Sequence, residues 1–315
     1  MAVWNAATLI LYLAAVYAIL PRAMAVVLAL TTYPVVLNIL IAHNGFLTAG
    51  LFGLALAFLE RRPWLSGVFL GLLTYKPQFG ILFPLALMAG GYWRAFLAAG
   101  TATIAFGAAA AMVFGHELWP LFVTGMTEAT TRINDHQPVA EIVFPTVRGI
   151  LRHMDFSTQT SWVAQAVVTV GIAAVICTLW SRPIPYSLKA AALGVAALSA
   201  TPYALSYDYC ILSIAVVFLV KDGLVRGFLY GERAIFITCW SGLSLFAFVA
   251  AIFLVALTKD TGSGERFLYF LLATVPLIIC AALLAIAIRR AMLIEPDTGE
   301  IASGLRPQVS SNVDG

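Results

Sequence analysis

An all-α bundle that crosses a lipid bilayer several times is the fold class this sequence predicts, and three observations carry the prediction. Of the 315 residues, 62% are hydrophobic and only 10% are charged, with a mean hydropathy of +0.95, values that belong to integral membrane proteins. Six apolar runs, at 3–20, 23–41, 95–114, 162–180, 234–257 and 267–288, are each long enough to cross a hydrocarbon core about 30 Å thick as a helix. Shorter apolar stretches fill the gaps, so about eleven helical elements are expected, several of them broken and short of a full span.

Taken in order, the run 3–20 has no basic residue before it and a second run follows at once, so it reads as a retained helix rather than a signal peptide. After the run 23–41 comes "AHNGF", where Asn44 is expected to cap a helix running to Leu59. The stretch 63–93 then decides the topology. As one span it would be about 46 Å long, with Lys76 in lipid near its middle. As two short helices, 64–75 and 77–92, it places Lys76 at the tip of a hairpin.

Cytoplasmic loops carry an excess of Lys and Arg, so their distribution chooses between the two threadings. The hairpin puts twelve basic residues, Arg22 through Arg306, on one face and five, Arg132, Arg148, Arg152, Lys259 and Arg266, on the other. The single span gives nine against eight. The hairpin is therefore expected, with Met1 outside and the C-terminus in the cytoplasm. Residues 1–290 read as one integral membrane domain with an outer loop at 115–161, and the polar stretch 291–315 reads as a disordered cytoplasmic tail. Gly67 and Gly71, four residues apart, read as a helix-packing seam.

Several functions are excluded by what the chain lacks. Cys177, Cys210, Cys239 and Cys280 lie in or beside apolar runs without ligand spacing, so neither a disulfide framework nor a metal site is expected. A net charge of +3 with no basic stripe gives no footprint for nucleic acid. No phosphate loop, dinucleotide fingerprint or HExxH motif occurs, and no cofactor is expected.

What remains is polar chemistry on the outer face, which in this threading holds all four histidines, His43, His116, His136 and His153. In "GLLTYKPQFG" the residue before proline is pushed out of helical geometry, so a helix ends at Lys76 and Pro77 opens the next. A lysine beside unpaired helix-start N–H groups suits an anion, most simply a phosphate at headgroup depth. The plain alternative is a lysine snorkelling to the headgroups. In "SATPYALSYDYC" Asp208 is expected to cap the helix that runs to Val220.

The stretch from Ala42 to Phe96, with "AHNGF", "ERRPW" and "LTYKPQ" in that order, resembles the polytopic glycosyltransferase family 87, which includes polyprenyl-phosphate-mannose-dependent α-mannosyltransferases. The later "ATPYALSYDYC" is similar to a Thr-Pro-Tyr segment of the same family, and the likeness runs over residues 4–288. The resemblance implies a GT-C-like membrane bundle that transfers a hexose, with mannose the first expectation, from a polyprenyl-phosphate donor to a lipid or glycan acceptor on the outer face of the cell membrane. It implies Lys76 and Gln78 at the donor phosphate, with His43, Asn44 and Tyr207 orienting the substrates. Members of the family open with a further span and an outer loop whose aspartate is the implied base. Here "MAVWNAATLILYLAAVYAILPR" resembles their second span, so that aspartate is expected to lie outside these 315 residues. Asp208 and His136 are left as second-choice bases. A truncated or catalytically dead scaffold and a transporter are the rival expectations, and the transporter lacks the repeated hydropathy it would require.

Overall fold

The computed structural model describes residues 1–125, 144–257 and 263–294. Among these it shows fourteen α-helices that lie wholly within the described residues, a further helical run over 118–125, and no β-strand. The first eight are α1 (Ala2–Ile19), α2 (Ala23–Leu30), α3 (Tyr33–Ile41), α4 (Gly45–Phe58), α5 (Pro63–Leu72), α6 (Pro77–Gly80), α7 (Phe83–Ala89) and α8 (Trp93–Phe114). The remaining six are α9 (Val147–His153), α10 (Thr158–Ser181), α11 (Tyr186–Ala200), α12 (Cys210–Arg226), α13 (Glu232–Leu257) and α14 (Ser263–Met292). Among the described residues α1, α8, α10 and the 270–292 part of α14 are long and apolar enough to cross a membrane alone. The chain is an all-α polytopic membrane protein.

The count exceeds the expected eleven because prolines divide two runs that the sequence suggested were continuous, and because α9 lies within the stretch 115–161 that was read as an outer loop. The run 23–41 is two helices, α2 and α3, bent by 65°, with Pro34 in the first turn of α3. Residues 77–92 are likewise split, with Pro84 opening α7. A proline has no N–H to give and clashes with the preceding turn, so it starts a helix far more readily than it continues one.

The expected hairpin is present. The chain leaves helical geometry at Lys76 (φ −128°, ψ 74°) between a 3-10 turn, Leu73–Tyr75, and α6. A side chain added at Gly67 would collide with Ala98, and one at Gly71 with Ala102. Both pairs advance in the same direction, so α5 and α8 run parallel. Parallel neighbours require the chain between them to return, and α6 and α7 are that return. The two glycines form the packing seam expected of them.

The centre of the bundle is α11 with α12. The sequence of α11 is rich in alanine, and its residues from Ala190 to Leu198 are buried on every side. Small side chains let α10, α12 and α14 approach it closely. A Cβ on Gly194 of α11 would stand 3.1 Å from that of Ala215 on α12. At the far end of α12, Arg290 of α14 donates to Asp222 at 2.7 Å and to Glu232 Oε1 at 2.9 Å. Arg226 also donates to Asp222, at 2.8 Å. This buried network ties α12, α13 and α14 at the end of the bundle opposite Lys76.

Candidate functional site

The bend at Lys76 points its side chain at the loop between α11 and α12, where a second 3-10 turn, Ser206–Tyr209, holds Asp208. Lys76 Nζ donates to Asp208 Oδ1 at 2.6 Å, joining residues 132 positions apart. The Lys76 side chain is 11% exposed and that of Asp208 is 1% exposed. Burial pushes the Asp208 carboxyl above the usual carboxylate range, and the Lys76 charge opposes that shift. Burial pushes the Lys76 amine down, opposed by Asp208. The other Asp208 oxygen accepts from the backbone N–H of Leu205 at 3.1 Å.

Lys76 therefore already has a carboxylate partner, one that the sequence reading did not give it. The two expected caps also differ. Asp208 lies before α12, whose N-cap is Tyr209, and its carboxylate turns back to Leu205 and Lys76 instead. The Asn44 side chain makes no cap hydrogen bond on α4 and contacts His43 Nδ1 at 3.1 Å. The first N–H of α4, on Gly45, goes to Asn38 Oδ1 at 2.9 Å.

Asn38 is the site residue that reading the sequence missed. It is fully buried, and its amide donates to Pro34 O at 2.9 Å and Tyr207 O at 2.8 Å. One side chain thus locks the α3–α4 turn to the loop that carries Asp208. Asn38 interrupts the apolar run "YPVVLNILI", and a lone amide in such a run is the signal that could have found it. Tyr75 is a second such residue: its hydroxyl lies 2.5 Å from Thr48 Oγ1 and donates to Asn44 O at 3.3 Å. The hairpin tip is thereby fastened to the start of α4.

His43 and Tyr207 come together as a stacked pair with ring centroids 4.0 Å apart. The Lys76 ammonium stands 4.8 Å from the Tyr207 ring centre, close enough for a cation–π attraction. His116 is remote and exposed, beside Glu117 at 3.1 Å, and His153 ends α9. His136 lies outside the described residues, as do 126–143 of the outer loop and 295–315 of the tail.

A cavity of about 1040 Å³ opens from this pair between α5, α7, α8 and the 201–208 loop. Lys76, Gln78, Tyr207 and Asp208 stand among its lining, and most of the remainder is apolar, including Leu70, Phe83, Leu87, Phe96 and Phe144. Ile81, 58% exposed, belongs to its wall. A polar head with one ammonium and a long apolar body suits an amphiphile carrying an anion.

The sequence profile of glycosyltransferase family 87 matches residues 1–202. The chain belongs to this family. Neither a curated protein nor a solved structure matches it. As a family 87 member it is a membrane glycosyltransferase, which requires a sugar donor and an acceptor. The matched residues include His43, Asn44, Lys76 and Gln78 and stop short of Tyr207 and Asp208, a narrower reach than the 4–288 expected from the resemblance.

Proposed function

We propose that this glycosyltransferase takes a hexose, with mannose the first choice, from a polyprenyl-phosphate donor and gives it to a lipid or glycan acceptor on the extracytoplasmic face of the cell membrane. The observation that carries this reading is the large apolar cavity with the Lys76 ammonium at its polar end. The polyprenyl chain lies along the apolar walls and the phosphate meets Lys76, with Gln78 beside it. As the sugar leaves, negative charge gathers on the phosphate, and a nearby ammonium in a water-poor site stabilises it. His43, Asn44 and Tyr207 flank that position and orient the sugar.

Asp208 takes a positioning role in this reading. An inverting transfer places its base across the sugar from the leaving phosphate, and Asp208, 2.6 Å from Lys76 Nζ, stands on the phosphate side. Its carboxylate keeps the lysine charged and aimed until phosphate takes over as partner. Lys76→Ala is expected to weaken binding of a polyprenyl-phosphate hexose by about 1.5 to 3 kcal/mol, the range for hydrogen bonds to charged groups. Titration of the purified protein in detergent measures it. Equal affinity in wild type and variant would overturn the donor assignment and leave Lys76 a headgroup anchor.

A further inference from the structure

A second pocket, of about 360 Å³, lies at the opposite end of the bundle. The helix α4 starts beside Asn38 and Tyr75 and ends at Phe58, just before Glu60 and Arg61. The helix α12 starts beside Asp208 and reaches Lys221 about 16 Å further on. Arg22, Glu60, Arg61 and Lys221 stand in the lining of this pocket, with Phe218 and Leu224 among its apolar members.

Its charges are poorly balanced. Arg61 repels the Lys221 ammonium while Glu60 attracts it, so three cations share one carboxylate. Nearby basic residues have partners: Arg226 and Arg290 hold Asp222, and the Lys189 ammonium donates to Trp180 O at 2.9 Å. Among the described residues, no side-chain hydrogen bond or ion pair engages Arg22, Arg61 or Lys221. Three cations with one carboxylate around a concave site with apolar sides, at the end of a membrane bundle, are suited to a phosphate attached to an acyl-chain lipid.

We propose that this pocket binds the phosphate headgroup of an anionic membrane lipid, at a site separate from the donor cavity. The phosphate sits among Arg22, Arg61 and Lys221, and the start of the lipid chains lies against Phe218 and Leu224.

The test uses the full chain in nanodiscs holding equal amounts of phosphatidylglycerol and phosphatidylcholine, with retained lipids counted by native mass spectrometry. The wild type is expected to keep phosphatidylglycerol over phosphatidylcholine by about tenfold. Arg61→Ala with Lys221→Ala should bring the two lipids to within about twofold, whereas Arg61→Lys with Lys221→Arg should keep the preference. Arg22→Ala, at an exposed side chain whose loss leaves packing intact, should lower it about threefold and serves as the second variant. Absence of preference in the wild type, or its survival in both alanine variants, overturns the proposal. Displacement of the lipid by inorganic phosphate alone overturns it too, by marking a site for the free anion.

Discussion

Lys76 and Asp208 are an unequal pair, because one can regain water and the other cannot. The lysine faces the cavity at 11% exposure, whereas the carboxylate is 1% exposed. Removing the partner of a buried charge costs more than the pair contributes when intact. Lys76→Ala is therefore expected to lower the unfolding free energy by about 3 kcal/mol, Asp208→Ala by less, and the double variant by less than the sum. The penalty in Lys76→Ala also has a direction in pH. Burial already holds the Asp208 carboxyl above its usual range, so the folded state binds the proton more tightly than the unfolded state. Stability of that variant should then rise as pH falls through the folded-state value. Denaturant titration in detergent over a pH series checks both statements, and strictly additive single variants would refute the coupling. The pair also shows what a sequence can and cannot display at this scale. Lys76 stood out because Pro77, directly after it, defines a local break. Asp208 read as a helix cap because the partner that claims it is 132 residues away.

For the helices, the same reasoning about proline succeeded in one place and was not carried far enough in others. Pro77 marks the break at Lys76, and Pro34 and Pro84 carry the same steric signal inside runs that hydrophobicity alone suggested were continuous. The seam between α5 and α8 was legible as a glycine spacing, but its parallel direction required Ala98 and Ala102 to appear opposite Gly67 and Gly71. That contact makes one substitution informative in two contexts. Gly71→Ala drives a methyl into Ala102 and is expected to destabilise by about 1 to 3 kcal/mol. Gly171→Ala, in α10 with nothing within 4 Å of the new methyl, should stabilise by up to about 1 kcal/mol, because alanine loses less conformational freedom than glycine in a helix. Thermal melts of the two variants, compared with the parent chain, test the pair. A Gly71→Ala protein as stable as the parent would contradict the close approach.

Across the whole molecule, charged side chains stand at both ends in different settings. Arg22, Arg61 and Lys221 gather at one end, and the Lys76–Asp208 pair sits at the other. We propose that the Lys76 end faces outward, and sidedness can be read directly. All four cysteines are free and three are buried, so a cysteine-free background is a small change. In it, Gln78→Cys is expected to react with a membrane-impermeant thiol reagent applied to intact cells, and Arg62→Cys only after permeabilisation; the reverse pattern would invert the assignment. The apolar lining of the cavity has a different kind of consequence. A ligand whose tail suits that lining dissolves in the bilayer and not in buffer, so its supply is counted per lipid molecule and not per litre. Encounters then take place in a plane, where adding buffer dilutes neither partner and changing the area of membrane dilutes both. A water-soluble fragment bearing the same head but no tail would keep every polar contact and forfeit that advantage.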